Sequence, residues 1–430
     1  MARVAPTMML AGLAALLAAA PAGGQSDDPA KLLRAAIAIA CEDELSDLAD
    51  MARQLPGGAT GLSHDTVELA GTRFGWRRLF RLDSGAGLEI NRVAPGGRLR
   101  RLHADYLAPW PGGPRPAMTA IAGPDCVVHH GRRLSYGKQG SPETLELLDS
   151  GLAPTGEVEP LNPPVPAGQD PGGVTVALVD SGVNYLLPEI ARSLARDAEG
   201  RALGYDFWDL DERPFDANPA RSPFFPQRHG TRVASVLLDE APRVRLIPYR
   251  YPRPDLSRMA RLVRDAAAKG ARVVGVSLGS NRRDQWASFE AAAEAAPEIL
   301  FVVSAGNNGR DIDQTPVYPA ALELDNMIVV SSADGFGEPA PGANWGTRSV
   351  DLLVPGERIP VIDFRGQPTR ASGSSFAAPR VVALAARLLA RHPEWDLAAL
   401  KNAIFARATM SDAGGPPRVS QGLIADPRAD

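Results

Sequence analysis

Three side chains of different chemistry stand along the 430 residues where a fold would hold them rigidly. Asp180 follows the apolar run Val174-Thr175-Val176-Ala177-Leu178-Val179 and opens Asp180-Ser181-Gly182, so a carboxylate falls at the carboxyl end of a buried strand. His229 is followed by Gly230, Thr231 and an apolar run over 233–238, which sets an imidazole at the mouth of a helix. Ser375 lies in Gly373-Ser374-Ser375-Phe376-Ala377-Ala378-Pro379, at the start of an apolar helix over 381–389. A helix N-terminus leaves N–H groups unsatisfied and carries partial positive charge, so an oxyanion on a carbonyl attacked by Ser375 would be stabilised there. Taken singly, each residue also has a plainer reading: a turn-forming Asp, a buried structural His and an N-cap Ser. The plainer reading of His229 is weakened because, of six histidines, only His229 and His392 follow residue 173. His392 sits in Arg391-His392-Pro393, where a helix ends, and a general base titrating near neutrality has essentially one other imidazole to come from.

The elements that must position these groups follow from periodicity. Short apolar runs at 174–179, 244–248, 273–278, 301–304 and 328–331 alternate with helical patterns at 231–238, 256–269 and 284–296. Runs without strict alternation suit strands covered on both faces, which predicts a doubly wound α/β domain over 174–425, its mostly parallel sheet flanked by helices. Upstream, a Pro- and Gly-rich stretch around Leu161-Asn162-Pro163-Pro164-Val165-Pro166 predicts a linker over 153–173. Before it, a helical pattern over 31–51 and short strands at 78–82 and 88–93 predict a small α+β domain over 25–152.

At the N-terminus, Arg3, an apolar stretch over 8–20 and the small residues Ala20-Pro21-Ala22 read as an export signal over 1–22, too short for a membrane span. A secreted or periplasmic protein with no membrane partner after signal cleavage is therefore expected. Cys41 and Cys126, the only two cysteines, are expected to pair in such a compartment, the alternative being two buried thiols. A net charge of −4, with no dense Lys/Arg cluster, supplies no reason to invoke nucleic acid.

Together these segments resemble the subtilisin-like serine peptidases from about residue 173 to about residue 408. Asp-Ser-Gly at Asp180, His-Gly-Thr at His229 and Gly-Ser-Ser-x-Ala-Ala-Pro around Ser375 occur in the order Asp, His, Ser found in that family. Val276-Ser277-Leu278-Gly279 is similar to its substrate-binding strand, Ser304-Ala305-Gly306-Asn307 to its oxyanion segment and Tyr318-Pro319-Ala320 to the turn after that segment. Val354-Pro355-Gly356 is similar to the segment before the nucleophile. Two departures are visible: Arg232 stands where a second His usually follows His-Gly-Thr, and Ser374 replaces the usual Thr. Arg232 would lower the pKa of His229 or select acidic substrate features, or else be an outward-facing, solvated side chain.

The resemblance implies a serine endopeptidase acting on peptide or protein substrates, with Asp180, His229 and Ser375 as triad and Asn307 as oxyanion donor. It further implies that Ser277, Leu278 and Gly279 take an extended substrate as an added strand, with Ala305 and Gly306 lining the pocket for the residue before the cut. Two other functions fit the same residues: a catalytically silent binding protein on this scaffold, and a peptide ligase or cyclase that passes the acyl group to an amine. The upstream domain would be a propeptide that blocks the cleft from within the chain or a retained accessory domain. No cofactor or metal is required. The acidic residues Asp206, Asp209, Asp211, Glu212 and Asp216 would either bind calcium or form a solvated charged loop.

Overall fold

Apolar residues at consecutive positions of a strand must be covered on both sheet faces, and that requirement shapes the larger part of this chain. The computed structural model describes residues 28–42, 47–69, 72–138, 140–252, 255–410 and 417–429. The export signal expected over 1–22 lies outside them. The chain divides into two compact units, Met1–Arg133 with Leu147–Thr155, and Leu134–Glu146 with Gly156–Asp430.

The first unit begins with helices α1 (Pro29–Glu42) and α2 (Leu48–Gln54), where one helix over 31–51 was expected. Asp47 caps the second, its carboxylate accepting from the Asp50 N–H at 2.7 Å. The chain then forms β1 (Ala59–Leu69), β2 (Thr72–Leu82), β3 (Gly87–Val93), β4 (Arg101–Ala108), β5 (Arg115–Ala122), β6 (Val128–Tyr136), β7 (Pro142–Leu148) and β8 (Pro154–Pro160). They make a meander in chain order, antiparallel wherever register is assigned from β1 to β6. Alternation is clear in β4, where Leu102, Ala104 and Tyr106 are buried while Arg101 is exposed. Those inward residues pack with Phe80, Leu88 and Ile90 and with Leu33, Ala36 and Ile37 of α1. Cys41 and Cys126 form a disulfide with 5.9 Å between their Cα atoms.

The second unit carries β9 (Val174–Asp180), α3 (Pro188–Ala191), β10 (Tyr205–Asp206), α4 (Gly230–Glu240), β11 (Val244–Arg250), α5 (Met259–Ala268), β12 (Val273–Val276) and α6 (Ala287–Glu294). It continues with β13 (Leu300–Ser304), β14 (Met327–Ala333), β15 (Leu352–Pro355), the small hairpin β16 (Ile359–Ile362) and β17 (Pro368–Ala371), α7 (Ser374–Arg391), α8 (Leu397–Phe405) and β18 (Gly422–Leu423). The main sheet is parallel, in the order β10-β11-β9-β12-β13-β14-β15-β18. Odd and even strand residues enter different cores. Val176, Leu178, Val302 and Val330 pack with α4 and α7, while Ala177, Val179, Phe301 and Val303 pack with α5 and α6. Chain order reverses around β9, since β11 lies on one side and β12 to β15 on the other. Such a switch point opens a crevice at the carboxyl ends of the strands.

The expected linker needs correction. Residues 154–160 are strand β8, and Asp170 further along is tied to the second unit, where it accepts from Arg245 at 2.6 Å and from the Arg196 N–H at 2.7 Å. Prolines remove N–H donors but leave side chains free to dock, so composition alone overstated the independence of this stretch. Residues 134–146, expected in the upstream domain, belong to the second unit because Leu134 and Leu145 are buried with Leu161, Ala217 and Phe224.

The disulfide closes a loop across a separation of 85 residues. Chain-entropy arguments for that length give stabilisation of about 4.6 kcal/mol. Replacing both cysteines by serine is expected to lower the urea midpoint of the first unit by a corresponding amount, and an unchanged midpoint would contradict this.

Candidate active site

Asp180, the last residue of β9, is 4% exposed and holds its carboxylate against the imidazole of His229. His229 Nδ1 lies 2.8 Å from Oδ1 and 2.9 Å from Oδ2, and Oδ1 also accepts from the Ser181 N–H at 2.7 Å. This fixes the ring with Nε2 directed away from the carboxylate. Burial disfavours the charged imidazolium, but the charge and hydrogen bond of Asp180, with the charge of Asp216, outweigh it, so the pKa of His229 is raised above 6.5. Arg232 acts in the opposite direction.

His229 is the N-cap of α4, and the orphan N–H groups of that helix are taken up by two side chains. Ser181 Oγ accepts from the N–H groups of His229 at 3.2 Å and Gly230 at 2.9 Å. Asp216, fully buried, accepts from the Ser181 hydroxyl at 2.6 Å, the His229 N–H at 3.2 Å, and the Thr231 N–H and hydroxyl at 2.9 and 2.5 Å. Burial pushes the Asp216 carboxyl upward in pKa, against the hydrogen bonds of Ser181 and Thr231. The third letter of His-Gly-Thr and the second of Asp-Ser-Gly are thus joined through one carboxylate. Gly230 is obligatory: a Cβ there would collide with the Gly182 carbonyl and crowd Asp180 Cβ at 3.1 Å.

Ser375 lies in the first turn of α7, half-exposed. The next residue, Phe376, has its ring centroid 5.7 Å from that of His229, which brings the start of α7 beside the imidazole. Asn307 Oδ1 accepts from the Ser374 N–H at 2.9 Å and the Ser374 hydroxyl at 3.2 Å, while Ser374 Oγ accepts from the Gly306 N–H at 3.1 Å. The N–H groups of Phe376 and Ala377 reach the Gly373 carbonyl. Among the described residues, that leaves the Ser375 N–H and the Asn307 amide donors unengaged, with Asn307 held through its Oδ1 on Ser374 at the electropositive N-terminus of α7. Gly373 has φ 122°, and a Cβ on it would approach Asn307 Oδ1 to 3.0 Å, so only glycine fits.

Ser277, Leu278 and Gly279 leave the sheet at the end of β12 and pair with no strand among the described residues. They line a cleft of about 640 Å³ together with Asp180, His229 and Arg232. Ala305 is buried and Gly306 half-buried just beyond β13, held by Asn344, whose Nδ2 donates to the Ala305 carbonyl at 2.8 Å and whose N–H donates to the Gly306 carbonyl at 3.1 Å. Sequence reading did not single out Asn344. It is fully buried and follows no motif, and only the loop it bridges reveals its place. Ser181 and Thr231 were legible as motif members but not as partners. His392 caps the far end of α7 and stacks on Trp395 at 4.0 Å.

The acidic residues considered for calcium are engaged by the protein itself, Glu212 apart, which is exposed. Arg250 donates to Asp206 at 2.7 Å and Asp209 at 2.6 Å, and Asp211 accepts from Asn162 at 2.7 Å and from Arg213 at 3.0 Å. Burial outweighs Arg250 and pushes Asp206 up to about 6. Among the described residues, no group of three or more His, Cys, Asp or Glu side chains is arranged to hold a metal ion.

The chain belongs to the subtilase family, whose model matches residues 172–422. It is 32% identical over 233 residues to a thermophilic serine proteinase of Bacillus sp. strain AK1, covering 50% of this chain and 52% of that one. A cell wall-associated protease of Bacillus subtilis strain 168 is 26% identical over 51% of this chain and 24% of its own length, and alkaline serine exoprotease A of Vibrio alginolyticus 28% over 58% and 45%. The chain thus spans about half or less of the length of these relatives. Among solved structures, a lanthipeptide protease aligns with TM-score 0.50 at 22% identity, over 59% of this chain and 86% of that one, a likeness of fold.

Two measurements test the electrostatics. By NMR, the His229 ring is expected to titrate above pH 6.5 and to fall in Asp180→Asn, because the carboxylate charge is the main raising influence. A raised folded-state value means that the pair's stabilisation is complete below pH 6.5 and lost as pH rises through the raised value. Asp216→Ala would remove the acceptor of four donors, two of them the Thr231 N–H and hydroxyl, and is expected to cost roughly 3 kcal/mol in urea unfolding. A cost below about 0.5 kcal/mol would contradict the assigned role.

Proposed function

We propose that the protein is an exported serine endopeptidase that hydrolyses peptide bonds through an acyl-enzyme on Ser375. The observation that carries this reading is the pair of unengaged donors, Ser375 N–H and Asn307 Nδ2, beside a serine hydroxyl and an imidazole already bound to a buried carboxylate. A serine hydroxyl is a weak nucleophile at neutral pH, so Nε2 of His229 takes its proton as Oγ attacks the carbonyl carbon, and later returns it to the leaving amine. Asp180 keeps the ring in the tautomer with Nδ1 protonated and stabilises the imidazolium without itself becoming protonated. The two N–H donors receive the negative charge that develops on the carbonyl oxygen. Water then repeats the sequence on the acyl-enzyme. The export reading rests on residues 1–22 and is in keeping with relatives named as a cell wall-associated protease and an exoprotease.

A fluorophosphonate probe tests the reading. Digestion and mass analysis are expected to find Ser375 modified, and folded protein that remains unlabelled would refute it. In kinetics on a peptide, Asn307→Ala is expected to lower kcat by about 10²–10³, the range found when subtilisin loses its oxyanion-hole asparagine. Ser375→Ala is expected to cost on the order of 10⁶. The acid limb of kcat/KM should lie above pH 6.5, since the base must be neutral and its pKa is raised.

A further inference from the structure

Arg232 occupies a place that breaks three local rules at once. It is a cation in the first turn of α4, where the helix dipole is already positive and which contains no acidic residue of its own. Its Nε is buried with no hydrogen-bond partner, and the side chain has no ion-pair partner among the described residues. It also opposes the imidazolium form of His229 one turn away. A half-buried guanidinium that gains nothing from its own fold, in a cleft with the site, is expected where a ligand completes it.

The ligand's chemistry follows from the cleft. Arg228, the other cation lining it, is already used: it donates to the Asp216 carbonyl and is paired with Glu159, so the rim itself holds a carboxylate on a guanidinium. The Asp180 carboxylate is taken by His229 and Ser181. Arg232 is the cation of this lining left for a substrate, and its planar fork suits a carboxylate.

Sheet order then says which side chain would meet it. Ser277–Gly279 follow β12, which lies between β9, bearing Asp180, and β13, leading to Ala305 and Gly306. A substrate strand laid along Ser277–Gly279 points successive side chains to opposite sides. If the residue before the cut faces Ala305 and Gly306, the one before it faces His229 and Arg232. Resting on the peptidase reading above, we propose that Arg232 is a specificity-determining residue that selects peptides with Asp or Glu at the second position before the cut.

The test uses the full chain and quenched-fluorescent peptides identical except for Asp, Asn or Lys at that position. The expected kcat/KM ratio of Asp to Asn is about tenfold, from one charge-assisted hydrogen bond, with Lys below Asn. Arg232→Gln should bring the Asp-to-Asn ratio near one, and Arg232→Glu should favour Lys. Turnover of all peptides with a flat ratio, or a ratio unmoved by Arg232→Gln, overturns the inference while leaving the peptidase reading intact. No turnover of any peptide defeats the peptidase reading instead. In that event anisotropy decides the inference: the Asp peptide should bind Ser375→Ala protein about tenfold more tightly than the Asn peptide, and equal affinities refute the role of Arg232.

Discussion

The site depends on one desolvated carboxylate–imidazole pair at the end of a strand that is buried on both faces. Asp180 could not hold a charge in that position without partners, and His229 could not be pinned to it if the backbone around the helix start were free to move. The fold meets both needs with short polar links in an otherwise apolar interior. The Ser181 N–H sits on Asp180, the Ser181 hydroxyl bridges to Asp216, and Asp216 grips the start of α4. Desolvation and pairing act against each other at His229, and pairing wins, which leaves a base whose affinity for the proton exceeds that of a free imidazole.

A second set of links joins the helix that carries Ser375 to the loop after β13. Asn307 uses its carbonyl oxygen on Ser374 and so presents its amide donors outward, while Ser374 closes the circuit through the Gly306 N–H. The methyl that threonine would add at position 374 is not needed for either bond. Because Asn344 fixes Ala305 and Gly306 from behind, the donors are oriented before any substrate arrives, which is how hydrogen-bond donors become effective toward a developing charge. The switch in strand order around β9 brings these circuits to the same carboxyl end of the sheet.

Much of this was legible in one dimension. The non-alternating apolar runs implied a doubly covered parallel sheet, and the motif segments that resemble the subtilases identified the region that the family model matches. The features that stayed hidden have a physical pattern. Asp216 and Asn344 act through buried bonds to residues distant in sequence, and neither carries a local signature. Proline content suggested a loose connector over 153–173, yet tertiary contacts of Asp170 and strand pairing of 154–160 hold most of it. In the acidic loop, carboxylate spacing says nothing about Arg250, which folds in beside Asp206 and Asp209.

Peptidyl chloromethyl ketone reaction, mapped by mass spectrometry, probes the convergence of the three groups most directly, since the reagent must sit over the serine while alkylating the ring nitrogen beside it. Alkylation is expected at His229 in the native protein and to be lost in Ser375→Ala. Reaction elsewhere, or modification of His229 that proceeds equally without the Ser375 hydroxyl, would contradict the account.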